Sequence, residues 1–162
     1  MTVAVAAPLR AARALALAVP VVLLGGAYVS QYVFGLHPCE MCWWQRYPHM
    51  FAIVFAALAF FWRPVRPLVA VAAVGILTSG LIGGYHAGVE YGWWQGMTAC
   101  TSTPFAAGVD PMEAILNAPV IRCDVAPWTL GGISLAGFNF LISTLGALAV
   151  FGLVARSRKV PS

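Results

Sequence analysis

Four apolar stretches decide most of what this chain can fold into: about Ala14–Phe34, Trp43–Trp62, Leu68–Ala87 and Trp128–Ala155. Each is near or above the ~20 residues that a helix needs to cross a hydrocarbon layer of about 30 Å. In lipid, only helices and closed barrels satisfy their own backbone N–H and C=O groups. These runs lack the in–out alternation of barrel strands. Composition agrees, because 9% of the 162 residues are charged, against roughly 25% in an ordinary soluble domain. Mean hydropathy is +0.85. The expected fold is an all-α integral membrane protein, residues 1–162 forming a single domain with four transmembrane helices.

The second stretch is the weakest. Its strictly apolar part, Met50–Trp62, is short, and it spans only by recruiting the polar start Trp43-Trp44-Gln45-Arg46-Tyr47. Pro48 fits best in a first helical turn, where its missing N–H costs least. The regular helix is therefore expected to begin near Tyr47. The first stretch, preceded by Arg10 and Arg13, could also be read as a signal peptide. It is long for that, since such apolar cores run to about 7–15 residues.

The nine basic residues sort by side. Arg10 and Arg13 precede helix 1, Arg63 and Arg66 lie between helices 2 and 3, and Arg156, Arg158 and Lys159 follow helix 4. Only Arg46 and Arg122 fall on the opposite side. The Lys/Arg excess marks the cytoplasmic face, so both termini and the 63–67 turn are expected there. The loops at about 35–42 and 88–127 then face outward. All four cysteines lie on that outer side: Cys39 and Cys42 in the first loop, Cys100 and Cys123 in the second. An even set of cysteines facing an oxidising compartment points to disulfide chemistry. Within the second loop, Asp110-Pro111-Met112-Glu113 has the cap, proline and acid of a helix start. A short helix is expected there, at the membrane surface or packed on the protein.

Pro38-Cys39-Glu40-Met41-Cys42 holds a C-x-x-C pair. Closed as a disulfide it makes a very small loop, and so constrains the unfolded chain little. Redox use is the stronger reading, because the second thiol can resolve a mixed disulfide formed by the first. A helix starting after Cys42, with Arg46 nearby, would favour thiolate. Metal binding, with four cysteines or with His37 as ligands, stays open, as does a purely structural pair. A Cys100–Cys123 bridge could by itself be structural, worth about 3 kcal/mol in the chain-entropy model. Arg46 could stabilise charge on a lipid-dissolved electron acceptor such as a quinone, or simply snorkel beside Trp43 and Trp44. His86 could approach the same site or serve as a hydrogen bonder within the bundle.

Several stretches together resemble the DsbB family of membrane disulfide-bond formation proteins. They are Gln31-Tyr32, Pro38-Cys39-Glu40-Met41-Cys42 with Gln45-Arg46, Tyr85-His86-Ala87, Cys100 with Arg122-Cys123-Asp124, and Ser134-Leu135-Ala136-Gly137-Phe138-Asn139. The resemblance covers roughly residues 14 to 155. It implies a protein-dithiol:quinone oxidoreductase in the bacterial inner membrane, with its cysteines on the periplasmic side. The expected partner is a periplasmic thioredoxin-fold, DsbA-like oxidase, and the expected cofactor is ubiquinone or menaquinone; no nucleic acid is expected. The resemblance further implies that the reduced partner attacks a Cys100–Cys123 disulfide, with Cys100 forming the mixed disulfide. Cys123 would pass electrons to Cys39, and Cys42 would face the quinone with Arg46; His86, from its place near the outer end of helix 3, is the further candidate for that cofactor site. No resident metal is expected.

Pro48 departs from the expected pattern, and Trp43-Trp44 makes this interface unusually aromatic. Two rivals remain. One is a membrane metal-binding or transport protein whose thiolates take a soft metal. The other is a vitamin K epoxide reductase-like enzyme, in which the C-x-x-C would be expected at the end of the last helix.

Overall fold

A computed structural model describes residues 6–98 and 121–158. Within them lie four long helices: α1 (Ala7–Tyr32), α2 (Glu40–Phe61), α3 (Val65–Glu90) and α4 (Leu135–Ser157). A two-stranded antiparallel hairpin, β1 (Thr129–Leu130) and β2 (Ile133–Ser134), precedes α4. α3 packs between α2 and α4, and α1 closes against α4 and α2. Among the described residues, α1, α3 and α4 are each long and apolar enough to cross a membrane. α2 has 22 residues but carries Glu40, Gln45, Arg46 and His49 in its first half.

The core is a seam of small side chains: Ala12 and Ala16 of α1, Ala52, Ala56 and Ala59 of α2, Ala72 and Ala73 of α3, and Ala147 of α4. Lipid offers no hydrophobic drive between helices, so close backbone approach supplies the packing. Gly75 marks one such approach, because a Cβ there would stand 3.0 Å from the Pro48 carbonyl oxygen. Enlarging Ala56 to Leu would overpack this seam, at a cost of about 1–3 kcal/mol.

α2 buries one face along its whole length, Gln45, His49, Ala52, Ala56 and Ala59, at the three-and-four spacing of a helical stripe. The upper part of that stripe is polar and the lower part is alanine.

The helix ends differ from the sequence reading. α1 starts at Ala7, where Pro8 occupies its first turn, seven residues ahead of the expected Ala14. α2 begins at Glu40 and runs through Pro48, so the expected start near Tyr47 is corrected. Cys39 caps this helix, the Cys42 N–H donating to its sulfur at 3.4 Å. That supplies a partner for an orphan N–H well upstream of the proline. α3 continues to Glu90, which brings residues 88–90 out of the expected loop. α4 starts at Leu135 rather than Trp128, capped by Ser134 through the Gly137 N–H at 3.1 Å. Residues 129–134 form the hairpin instead, turning on Gly131 and Gly132 with φ of 58° and 80°. Two successive residues at positive φ suit a tight hairpin turn and favour glycine at both. The helix expected from Asp110 lies outside the described residues.

Candidate redox site

The C-x-x-C pair sits where α2 begins. Cys39, the cap residue, is buried against Met41, Val89 and Cys123. Its Sγ lies 3.3 Å from the Sγ of Cys42, and the structure holds both as free thiols. His86, on the last turns of α3, places Nε2 at 3.6 Å from the Cys39 sulfur and 3.1 Å from the Cys123 carbonyl oxygen. Glu90 follows one turn later on α3, with Oε1 at 3.7 Å from the same nitrogen. The segment around Cys123 is thus seated directly on the C-x-x-C pair. Cys123 itself is half of a disulfide, and Thr98 donates to its sulfur at 3.3 Å. Cys100, and with it the expected Cys100–Cys123 pairing, lies outside the described residues.

Cys39 is the acidic thiol of the pair. The hydrogen bond from Cys42 draws it down to about 4, against burial, with the His86 ring and the Cys42 N–H adding to the effect. The direction of that bond follows: with Cys39 ionised, the Cys42 S–H must be the donor. The start of α2 adds its partial positive charge. A stabilised thiolate favours the reduced form of the pair, and that makes its disulfide more oxidising.

Two cavities meet at this pair. One, of about 390 Å³, is lined by Cys39, His86, Glu90, Arg122 and their neighbours. The other, of about 230 Å³, lies among α1, the start of α2 and the start of α4, with Arg46, Gln45, His49 and Asn139 on its wall. Cys42 lines both.

Arg46 does not snorkel. Its side chain turns into the bundle, where the residue is 6% exposed. It donates to Gln31 Oε1 at 2.6 Å and to the Ala27 carbonyl at 3.2 Å, both on α1. The guanidinium lies 5.0 Å from the ring centroid of Tyr28 and 4.9 Å from that of Trp43. A guanidinium carries five N–H groups, so these two bonds leave donors for a ligand. Trp44 points outward and is partly exposed, as a belt residue would be.

The structure brings Cys39, Cys42, His86 and Cys123 together. His86 lines the cavity that holds Cys39 and not the one that holds Arg46, and its Nε2 meets the Cys39 sulfur. The ligand atoms of Cys39, Cys42 and His86 lie within 4.8 Å of one another, close enough to hold a soft metal. Sequence reasoning left several site residues without a role. Gln45 and Asn139 stood only as motif letters, and His49 was not singled out. The signal was available in their spacing: Gln45 and His49 fall on the alanine stripe of α2, where a polar side chain must find a partner.

The family model described as "Disulfide bond formation protein DsbB" matches residues 9–153. A protein named disulfide bond formation protein B from Aromatoleum aromaticum is 31% identical, covering 84% of this chain and 86% of its own length. One of the same name from a Polaromonas species is 29% identical over 94% of this chain and 93% of its own length. An uncharacterized protein of Rickettsia prowazekii is 25% identical, covering 84% and 81%. No solved structure matches the chain.

Proposed function

The chain belongs to the DsbB family of disulfide bond formation proteins, and from that premise we propose that it reoxidises a periplasmic thioredoxin-fold dithiol oxidase and passes the electrons to a membrane quinone. α2 would be the fourth membrane span. Both termini would be cytoplasmic, and the cysteines would face the periplasm of a bacterial inner membrane, as the Lys/Arg distribution supports.

The observation that carries this reading is the position of Cys42. It lines both the cavity on the Cys39 side and the cavity that holds Arg46. A dithiol at this boundary can face a water-borne thiol on one side and a lipid-borne acceptor on the other. The Arg46 cavity fits a quinone head group. Its walls include Val22, Leu23, Leu24, Leu135 and Phe138, with Arg46 as a cationic donor, and a few polar groups in an apolar cleft are what orient such a ligand. When bound, a quinone accepts two electrons and two protons. Arg46 would bind and orient its carbonyl oxygen and stabilise negative charge there.

The protein side of the reaction follows from the sulfurs. Reduced partner thiolate attacks the disulfide of Cys123, expected to pair with Cys100, and leaves as a disulfide after a second exchange. The dithiol so formed reduces a Cys39–Cys42 disulfide by the same chemistry. Cys39, seated at Cys123, is the sulfur that receives the attack, and Cys42 is released toward the other cavity. Two thiols are oxidised for each disulfide reduced, so each round delivers one electron pair.

Purified protein supplied with a reduced thioredoxin-fold periplasmic oxidase should reduce ubiquinone or menaquinone catalytically. No turnover with any pairing of partner and quinone would overturn the proposal. Stoichiometric tight metal in the same preparation would then favour the soft-metal reading that the 4.8 Å cluster permits.

A further inference from the structure

Two side-chain amides, Gln45 buried and Asn139 half-buried, connect the cavities, and the direction of the hydrogen bonds between them is fixed by backbone carbonyls. A carbonyl oxygen can only accept. Asn139 Nδ2 lies 3.1 Å from the Ser79 carbonyl oxygen, so the Asn139 nitrogen must face it. The same nitrogen donates to Gln45 Oε1 at 2.8 Å. The Gln45 nitrogen therefore points the other way, to the Met41 carbonyl at 3.1 Å and to His86 Nδ1 at 2.8 Å. Met41 holds the nitrogen end of the Gln45 amide and Asn139 its oxygen end, both in the same orientation.

His86 has no choice left. Its Nδ1 faces an N–H donor and must accept, so the proton of the neutral ring sits on Nε2. That nitrogen is the one beside Cys39 Sγ, the Cys123 carbonyl and Glu90. At the other end, Asn139 Oδ1 accepts from Ser143 Oγ at 2.8 Å and faces His49 Nε2 at 2.9 Å. The Ser79 hydroxyl donates to the Gln45 carbonyl at 2.8 Å and accepts from Asn139 Nδ2 at 3.1 Å. Gly83 of α3 keeps the room this requires. A Cβ there would stand 3.0 Å from Asn139 Nδ2 and 3.1 Å from Gln45 Oε1.

We propose that Gln45 and Asn139 are positioning residues that hold His86 as an Nε2–H donor toward Cys39, within the redox centre assigned above and resting on that assignment. Reversing the Gln45 amide would set its oxygen against the Met41 carbonyl and its nitrogen against Asn139 Nδ2. The opposite His86 tautomer would face Cys39 and the Cys123 carbonyl with a lone pair in place of a donor. The same constraint opposes metal binding through Nε2, which needs that nitrogen bare. His37, Cys42, Glu90 and Arg122 line the cavity with Cys39 and His86. Of these, Cys42 supplies the other donors to the Cys39 sulfur.

The test uses full-length reduced protein carrying ¹⁵N-labelled histidine. Imidazole nitrogen shifts distinguish the two tautomers and the protonated ring in the unmutated protein. The three histidines are assigned with His37→Gln and His49→Gln. At about pH 8, where an unconstrained imidazole is neutral, His86 should be the Nε2–H form. Gln45→Met and Asn139→Leu should convert it to a mixture. In a Cys100→Ser, Cys123→Ser background, both should raise the midpoint for Cys39 alkylation by about one pH unit. An Nδ1–H or protonated His86 in the unmutated protein at that pH would overturn the proposal. So would Gln45→Met and Asn139→Leu proteins in which neither the tautomer nor the alkylation midpoint moves. Neither readout needs quinone or partner. Lost quinone turnover with the tautomer intact would therefore sink the functional proposal alone, and the reverse result would sink this one alone.

Discussion

The two cavities share Leu36, His37, Cys42 and Pro127 and differ in nearly everything else. On the Cys39 side lie an imidazole, a carboxylate, Arg122 and the segment of a disulfide cysteine. On the other side, apolar residues of α1 and α4 surround one inward-turned guanidinium. The difference shows how one C-x-x-C can serve two media. The donors around Cys39 stabilise its thiolate, whereas Cys42 borders the apolar cleft.

The comparison breaks most completely at Cys42. Cys42→Ser should abolish quinone reduction, while Cys39 remains alkylatable by a water-soluble reagent. Measuring both on one preparation separates loss of the resolving sulfur from loss of fold. Next in size, Arg46→Ala should weaken quinone binding by about thirtyfold or more, since removing one buried charged partner costs about 2–5 kcal/mol. Its effect on the Cys39 side should be small. Quinone titration of the variant against the alkylation midpoint of Cys39 checks that the two cavities are separable.

His86→Ala tests the other cavity. Cys39, drawn to about 4, should react with iodoacetamide at a rate nearly flat from neutral pH down to about pH 5. The rate should fall as pH drops through the midpoint. The sign follows from linkage: a thiol held below its unfolded value stabilises the reduced fold in full above the unfolded midpoint, and that stabilisation is lost as pH falls from there through the folded one. Losing the imidazole donor should move the midpoint up by about one unit and leave quinone affinity unchanged. The smallest effect belongs to Trp44→Phe. Its side chain lines neither cavity, so unfolding stability should change within about 0.5 kcal/mol and turnover should not change.

Much of this contrast was legible in the sequence. Long apolar runs must be helices in lipid, so all four helices were expected in the right order. The sorted Lys and Arg residues are the basis on which both pairs of cysteines are proposed to share one side. Helix ends were less legible, because a cap depends on which group accepts. The sulfur of Cys39 does the work usually given to a Ser or Asp oxygen, and this starts α2 ahead of Pro48. The Gly131–Gly132 turn was present in the letters, but an apolar neighbourhood hid it inside a presumed helix. The direction of Arg46 could not be read from position alone. Its partners, Gln31 and Ala27, come from α1, and only tertiary packing decides whether a guanidinium finds acceptors inward or water outward. Gln45 and Asn139 lie 94 positions apart in the chain, too far for any local pattern to pair them.

The most direct test of Cys42 as the link between the two cavities is a single turnover without any partner protein. Reduced Cys100→Ser, Cys123→Ser protein, in which only Cys39 and Cys42 can donate electrons, is mixed with quinone and the quinol formed is counted. The expected result is one equivalent of quinol per chain, with Cys39 and Cys42 ending as a disulfide, and none when Cys42→Ser is added. No quinol from the intact pair, or an undiminished yield without Cys42, would contradict it.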